Sequence, residues 1–321
     1  MLNEVLKIFL GFVLLVIGAD LIVRGSKNIA KRFHIPEILI GLTIVAIGTS
    51  MPELIITITS AKKGLGDLII GNAIGSNLCN ILFILGLTAI IQPIKMEKEV
   101  KIIHIPFAIF TTICILAISL GWFGISRTII SKIWGIIFIL LFSIYFIYPI
   151  ILEIGNIIKA YKENKGKRIK NTQNILISLI QIFIGIVLLK FGGDFVVENA
   201  RYIAECFNIS QRIIGLTIVA IGTAFPELIT SIIAAIKDST DLAVGNLLGS
   251  CILNLLLILG IGAIIMPLEI KTEFIGNLIL FLISLILILL FNFIGKKNTI
   301  TRFKGSILFL MFVYYVANLF I

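Results

Sequence analysis

Apolar runs about as long as a bilayer is thick dominate this sequence and leave only short charged stretches between them. Hydrophobic residues make up 59% of the chain and charged residues 14%, whereas soluble domains average roughly 45–50% and about 25%. A water-soluble globule of this size could not bury so much apolar surface, so most of it must face lipid. The composition argues against a soluble enzyme, a nucleic-acid-binding protein or a disordered chain, and it predicts an all-α integral membrane protein.

Ten apolar segments result when the chain is divided at its charged and Pro- or Gly-containing stretches. A helix needs about 20 apolar residues to cross the hydrocarbon core, so ten transmembrane helices are expected. Asp20 and Arg24 stand where a signal peptide would carry small residues for cleavage, so the first run is interpreted as a span. The predicted segments cover residues 3–23, 37–60, 68–92, 102–121, 128–152, 174–198, 211–236, 242–267, 274–294 and 304–320.

The two halves of the chain repeat each other at a constant offset of 174 residues. Residues 41–54 (GLTIVAIGTSMPEL) match residues 215–228 (GLTIVAIGTAFPEL) at 12 of 14 positions, and the same offset pairs Asp20 with Asp194. An offset that holds over much of each half indicates a true internal duplication. The predicted organisation is a first five-helix repeat at 1–152, a linker at 153–172 and a second five-helix repeat at 173–321.

Five spans in each repeat make the second repeat enter the membrane from the opposite side. The repeats are therefore expected to be inverted and related by an axis in the membrane plane, an architecture found in secondary transporters. Most of the 27 lysine and arginine residues fall in loops on one side, including six in the linker. The positive-inside rule then predicts a cell-membrane protein with a cytoplasmic linker and two extracellular termini.

Glu53 and Glu227 occupy repeat-equivalent positions deep within the second and seventh predicted spans. A lone charged side chain at the bilayer centre costs about 2.5–3.5 kcal/mol even on the lenient insertion scale. The alternative is a structural role in which each carboxyl group is protonated or paired with a cation, but no Lys or Arg lies at matching depth in the two segments. The pair is therefore predicted to form two halves of one cation site.

Hard oxygen ligands accompany both glutamates in the sequence. Pro52 and Pro226 each remove an intrahelical hydrogen bond, and the freed carbonyls are tolerated at membrane depth only where a cation, water or protein group satisfies them. Such oxygens suit Na⁺, Ca²⁺ or Mg²⁺ rather than soft metals. The alternative is a helix-packing role for the polar stripes and GxxxG pairs of the third and eighth spans. These stripes contain Asn72, Ser76, Asn80, Asn246, Ser250 and Asn254.

Two pairs of motifs resemble the paired α-repeats of the cation/Ca²⁺ exchanger superfamily, close to prokaryotic Na⁺/Ca²⁺ exchangers. They are GTSMPE followed by GNAIGSN, and GTAFPE followed by GNLLGSC. The resemblance implies a secondary active antiporter, not an enzyme, in which Na⁺ entry drives Ca²⁺ extrusion by alternating access. It implies an ion cluster between spans 2, 3, 7 and 8, against which spans 1 and 6 slide. Na⁺, Ca²⁺ and the lipid bilayer are the expected partners, with no cofactor, no nucleic acid and a functional monomer.

Residue roles follow from the resemblance by motif position. It implies that Glu53 and Glu227 bind Ca²⁺ and Na⁺ with help from the backbone of Thr49 and Thr223, and that Asn80 and Asn254 line the middle. It implies that the flanking Na⁺ sites use Ser50, Ser76, Ser250 and the carbonyls of Ala46 and Ala220. The chain departs from the pattern at Asn254, where some relatives carry Asp, and at Ala224, which lacks the hydroxyl of Ser50. The family's usual ion ratio therefore does not follow directly.

Two other functions stay open at this point. An H⁺-coupled exchanger of Ca²⁺ or another divalent cation would use the same carboxylates, although the GN(A/S)xE pattern of that branch is absent because Ser76 follows GNAIG. A cation channel would belong to a different class of protein. Inverted repeats around an occluded midplane site argue against a channel.

Overall fold

The structure, a computed structural model, describes residues 2–33, 35–122, 129–163, 174–207, 220–291, 293 and 298–318. The helices of these residues are α1 (Leu2–Phe33), α2 (Glu37–Thr49), α3 (Met51–Lys62), α4 (Gly66–Ile91), α5 (Val100–Ser119), α6 (Lys132–Glu163), α7 (Ile175–Cys206), α8 (Ala220–Thr223), α9 (Phe225–Ile236), α10 (Thr240–Ile265), α11 (Thr272–Leu290) and α12 (Arg302–Asn318). The strands are β1 (Ile94–Lys95), β2 (Ile129–Ile130), β3 (Leu268–Glu269) and β4 (Thr299–Ile300).

Seven helices of the described residues are long and apolar enough to cross a membrane, and the bent pair formed by α2 and α3 would make an eighth. Every predicted segment overlaps at least one helix. The segment predicted at 211–236 begins outside the described residues, and its described part consists of α8 and α9. The protein is therefore an all-helical membrane protein with several spans, while the number of ten crossings stays a prediction.

Several helices continue beyond the predicted segments. α1 extends to Phe33, α7 extends to Cys206, and α6 extends to Glu163, which lies within the linker predicted at 153–172. The first part of that linker is therefore helical, and residues 164–173 lie outside the described residues. Hydropathy places these helix ends too early because charge marks where a helix leaves lipid, whereas backbone hydrogen bonding continues into water.

Helices α1 and α7 pack closely through glycines. A Cβ atom added at Gly11 would lie 2.8 Å from the carbonyl oxygen of Gly192, and one at Gly18 would lie 2.8 Å from that of Gly185. Only glycine permits such a close approach of two helix backbones. Gly11 and Gly185 are equivalent at the repeat offset, as are Gly18 and Gly192, so the two crossings are counterparts.

Two antiparallel strand pairs also join the halves. β1 pairs with β4, with Ile94 opposite Ile300, and β2 pairs with β3, with Ile130 opposite Leu268. Ile94 and Leu268 are equivalent at the repeat offset. Each pair therefore contains one strand from the first half and one from the second.

The centre of the bundle consists of α4 and α10. In their apolar stretches 72% and 78% of the residues are buried, against 17–28% in α1, α6, α7 and α11. The outer helices thus leave their apolar faces for lipid, whereas α4 and α10 are enclosed by protein. Polar side chains on these two central helices must be satisfied within the protein.

Candidate ion-binding site

The two predicted glutamates lie in the interior, each just after a break between two helices. α2 ends at Thr49 and α3 begins at Met51 with a bend of 47° between them, and α9 begins at Phe225 directly after α8. Ser50 (φ −87°, ψ 12°) and Ala224 (φ −89°, ψ 2°) occupy the breaks with nearly the same backbone angles. The two halves therefore repeat each other in backbone geometry as well as in sequence.

Pro52 and Pro226 account for where the new helices begin. The sequence predicted a loosened but continuous helix at 37–60, whereas Pro52 lies in the first turn of a separate helix, as does Pro226. Proline fits that position because its missing N–H would have no intrahelical acceptor there. Glu53 and Glu227 follow directly, so each carboxylate lies in a first helical turn, where the helix dipole attracts negative charge.

The carboxylate of Glu227 is held by hydroxyl groups from both halves. Glu227 is 1% exposed, and Ser50 Oγ donates a hydrogen bond to Glu227 Oε1 at 2.9 Å. Ser50 Oγ also lies 2.9 Å from Ser250 Oγ. Three predicted ligands are thus brought together, while Glu227 Oε2 is buried without a hydrogen-bond partner.

Glu53 is equally buried but has a different environment. Ser76 hydrogen-bonds its carboxylate, and Asn72 Nδ2 lies 3.5 Å from its backbone carbonyl oxygen. The residue equivalent to Ser50 is Ala224, which offers no hydroxyl group. Glu53 Oε2 has no hydrogen-bond partner, and the carboxylates of Glu53 and Glu227 lie close enough to repel each other.

Asn80 and Asn254 lie where the two central helices widen into π-helical turns. These turns cover Cys79–Ile84 and Asn254–Ile258, which are repeat-equivalent stretches. Isolated π-helical turns are rare and frequently occur at functional sites. The Oδ1 atom of each asparagine is buried without a hydrogen-bond partner, so both amide oxygens are available to a ligand.

Thr49 connects the broken helix α2 with α10. Thr49 Oγ1 donates to Asn246 Oδ1 at 3.0 Å, and Asn246 Nδ2 donates to Ser231 Oγ at 3.2 Å. The carbonyl oxygen of Ala46 accepts a hydrogen bond from the backbone N–H of Ser50 at 3.0 Å. Thr49 Oγ1 lies 3.4 Å from the same carbonyl oxygen. The corresponding residues of the second half, Ala220 and Thr223, are the first and last residues of α8.

Asn77 is a buried neighbour of the site that the sequence patterns did not reveal. It lies in α4 with no exposed surface, donates to the backbone oxygen of Cys251 at 3.1 Å, and accepts from Asn254 Nδ2 at 3.0 Å. Asn77 falls outside the four-residue polar stripe of its helix. The repeat gives no signal for it either, because the equivalent residue, Cys251, is not an amide.

No basic residue compensates the two glutamates within the described part of the chain. Ion pairs there include those of Asp20, Asp67 and Asp194. Lys304, the buried lysine among those residues, donates to the backbone oxygens of Phe291 and Thr299. The site thus combines two buried carboxylates with unpartnered oxygens, an arrangement that requires a cation or protons.

Comparisons with known proteins give consistent matches. A model of the family described as sodium/calcium exchanger protein matches residues 4–151 and 177–321. A membrane protein of Methanocaldococcus jannaschii is 33% identical over 97% of this chain and 96% of its own length. The sodium/calcium exchanger MaX1 of Methanosarcina acetivorans is 28% identical over 98% of both chains. A solved structure of the sodium-calcium exchanger NCX_Mj, soaked with zero Na⁺ and Ca²⁺, superposes with a TM-score of 0.82 at 31% identity and covers 98% of both chains.

Proposed function

Because this chain belongs to the sodium/calcium exchanger family, we propose that it is a secondary active antiporter that exchanges Na⁺ for Ca²⁺ across the cell membrane by alternating access. Its family is one of transporters rather than catalysts, so the ions are cargo and no cofactor takes part. Cation exchange explains why such an apolar chain keeps two buried carboxylates.

The unpartnered oxygens of the buried site carry this proposal. Glu53 Oε2, Glu227 Oε2, Asn80 Oδ1 and Asn254 Oδ1 are all buried without hydrogen-bond partners. Leaving a buried polar group unpaired costs about 1–3 kcal/mol, and more for a charged one, so four such atoms together favour a ligand. Carboxylate and amide oxygens are the ligands that Ca²⁺ and Na⁺ accept, and two carboxylates balance one Ca²⁺ or two Na⁺. Competition for the same charge would couple the two ions.

The predicted ligands divide naturally into a centre and two flanks. Glu53, Glu227, Asn80 and Asn254 would form the centre, where Ca²⁺ binds. Contacts of Ser50 with Glu227 and Ser250 support a Na⁺ site on one flank. The carbonyl oxygen of Ala46 and the backbone of Thr49 would complete it, because α2 packs against α10 there and Thr49 also hydrogen-bonds Glu227. The contact of Ser76 with Glu53 supports a second flank, which the carbonyl oxygen of Ala220 and the backbone of Thr223 would complete, because α8 packs against α4.

An inverted repeat of two five-helix units, 1–152 and 173–321, is the architecture we assign. Three sets of contacts support it. Each either joins two residues that are equivalent in the two repeats or occurs twice, once in each repeat. The glycine crossings of α1 and α7 are counterparts, each strand pair joins the two halves, and Asn77 contacts Cys251, its own equivalent. A residue can touch its equivalent only near the axis that relates the repeats. Such an axis would run through the ion site.

The proposed orientation places both termini outside the cell and the linker at 153–172 in the cytoplasm. The excess of lysine and arginine in the loops on the linker side supports this orientation. One chain supplies carboxylates from both halves, so a monomer would contain a complete ion site. Association between chains is not needed for exchange.

Transport by reconstituted protein tests the proposal. Purified protein would be placed in liposomes loaded with Na⁺, and uptake of radiolabelled Ca²⁺ would be measured after dilution into Na⁺-free buffer. We expect uptake that disappears when an ionophore dissipates the Na⁺ gradient. Folded protein without Na⁺-dependent uptake would contradict the proposal. Uptake driven by a pH gradient without Na⁺ would select the H⁺-coupled exchanger, and single-channel currents in planar bilayers would select the channel.

A further inference from the structure

A short relay of hydrogen bonds joins the central helices beside the ion site. Asn77 Nδ2 donates to the backbone oxygen of Cys251 at 3.1 Å, and Asn254 Nδ2 donates to Asn77 Oδ1 at 3.0 Å. Asn77 and Cys251 have no exposed surface, and Asn254 is 1% exposed. With water excluded, the three residues depend on one another for hydrogen bonding.

The backbone carbonyl of Cys251 fixes the direction of the whole relay. A carbonyl oxygen can only accept, so the NH₂ group of Asn77 must face it. The Oδ1 atom of Asn77 is then presented to Asn254, which must offer its own NH₂ group in return. The amide oxygen of Asn254 is consequently turned away from Asn77 and is buried without a partner.

The equivalent contact in the other half is chemically weaker. Asn80 corresponds to Asn254, and its amide hydrogen-bonds the side chain of Cys251, which corresponds to Asn77. A sulfur atom is a weak acceptor, whereas an amide oxygen is a strong one. The amide of Asn254 therefore has the stronger acceptor of the two.

We propose that Asn77 is a positioning residue that keeps the amide oxygen, rather than the NH₂ group, of Asn254 directed to the bound cation. This inference rests on the proposed function, because it assumes that Asn254 is an ion ligand. Without Asn77, the amide of Asn254 can rotate by half a turn and present two N–H donors to the cation. Ion affinity would fall although no ion ligand had been removed.

A double-mutant cycle separates this role from simple packing. We would measure the KM for Ca²⁺ and the maximal rate of Na⁺-driven uptake for Asn77→Leu, for Asn254→Ala and for the double variant. We expect Asn77→Leu to raise the KM about tenfold, which corresponds to one lost orienting hydrogen bond, with little change in maximal rate. In the Asn254→Ala background, Asn77→Leu should have no further effect, because the residue through which it acts is gone.

The matched control is Asn199→Leu. Asn199 is also a buried amide, 8% exposed, that donates to a backbone oxygen, that of Phe195 in its own helix at 2.7 Å. This control should leave the KM for Ca²⁺ unchanged. Asn77→Cys provides a second variant that places in α4 the residue found at the equivalent position of α10. It should fold, and it should raise the KM less than Asn77→Leu does.

Two results would overturn the inference. One is a KM in Asn77→Leu and Asn77→Cys that matches the Asn199→Leu control. The other is a double variant in which the effects of Asn77→Leu and Asn254→Ala multiply, since independent effects indicate packing alone. Failure of the proposed function is distinguishable from either result, because wild-type protein would then show no Na⁺-driven uptake at all.

Discussion

The two carboxylates of the ion site come from duplicated sequence but have unequal surroundings. Glu227 accepts a hydrogen bond from Ser50, which in turn contacts Ser250, whereas the position equivalent to Ser50 on the Glu53 side is Ala224. Glu227 therefore has hydroxyl partners in Ser50, Thr49 and Ser250, whereas Glu53 has one in Ser76. The backbone breaks at Ser50 and Ala224 are nearly identical, so the difference is chemical rather than conformational. Duplication kept the charge on both sides and let the neutral ligands diverge.

Removing either charge should have the largest effect. Glu53→Gln and Glu227→Gln should each lower the apparent affinity for Ca²⁺ by at least about 100-fold, or roughly 2.7 kcal/mol, because one remaining carboxylate cannot balance a divalent cation. Na⁺-driven Ca²⁺ uptake in liposomes would measure this loss. Glu273→Gln, an exposed residue in the first turn of α11, is the control. Full activity in either site variant would show that the two halves do not share one site.

Removing the hydroxyl group of Ser50, so that the Glu227 flank resembles the Glu53 flank, should have an intermediate effect. In Ser50→Ala, Glu227 loses its hydroxyl donor and the flanking site loses a ligand, so the apparent affinity for Na⁺ should fall about tenfold. The affinity for Ca²⁺ should change less. The dependences of uptake on Na⁺ and on Ca²⁺ concentration measure the two affinities. Ser143→Ala is the control, because that hydroxyl donates to the backbone oxygen of Ile139 in its own helix. An equal loss for the two ions would argue against separate flanking sites.

Adding a hydroxyl group at position 224 should strengthen Na⁺ binding on the Glu53 flank. Ala224 is 2% exposed and lies in a break with the backbone geometry of Ser50, so a serine there should adopt a comparable position. Ala224→Ser should raise the apparent affinity for Na⁺ about threefold and steepen its concentration dependence, since one hydroxyl ligand is added. The measurement is the Hill coefficient of Na⁺-driven uptake. An unchanged coefficient would mean that the missing hydroxyl does not limit Na⁺ binding.

A second difference between the halves lies at the helix ends and should affect stability only slightly. Asp67 pairs with Lys271, and its hydrogen bond and charge raise the pKa of Lys271 above the ordinary lysine value. The equivalent residues, Asp241 and Glu97, hydrogen-bond through their carboxyl groups, which requires a shared proton. The stabilisation from the lysine pair is complete below the ordinary lysine pKa of about 10.4 and is lost above the raised one. Two facing carboxylates instead repel each other, so this end of the molecule is less stable at alkaline pH.

Glu97→Gln tests that difference because the N–H group of an amide can donate a hydrogen bond to the Asp241 carboxylate at any pH. The melting temperature of this variant should exceed that of wild type by an amount that grows between acidic and alkaline pH. Thermal unfolding in detergent measures it, with the exposed Glu99→Gln as control. A gap that stays constant across the pH range would rule out the shared proton.

The sequence predicted the glutamates well because two independent signals coincide there. A carboxylate in an apolar run is costly, and its recurrence at the repeat offset makes coincidence untenable. Asn77 carries neither signal, since asparagine is common in packed membrane helices and its equivalent is a cysteine. Its role depends on which neighbour accepts its hydrogen bond, which is a three-dimensional fact.

Helix geometry was predicted less completely than helix existence. Pro52 marks a change of helix in the sequence, but proline is compatible with both a kink and a new helical start, and only the backbone angles of Ser50 and the 47° bend decide between them. Likewise the helical continuation of α6 to Glu163 depends on backbone hydrogen bonding, which hydropathy does not report.

Direct Ca²⁺ binding tests the central claim that Glu53 and Glu227 form one cation site. Isothermal titration of Ca²⁺ into detergent-solubilised protein, with and without Na⁺, would give the number of ions per chain and the competition between the two ions. We expect one Ca²⁺ per chain, displaced by Na⁺ and lost in both Glu53→Gln and Glu227→Gln. Ca²⁺ binding that persists at full affinity in either variant would contradict it.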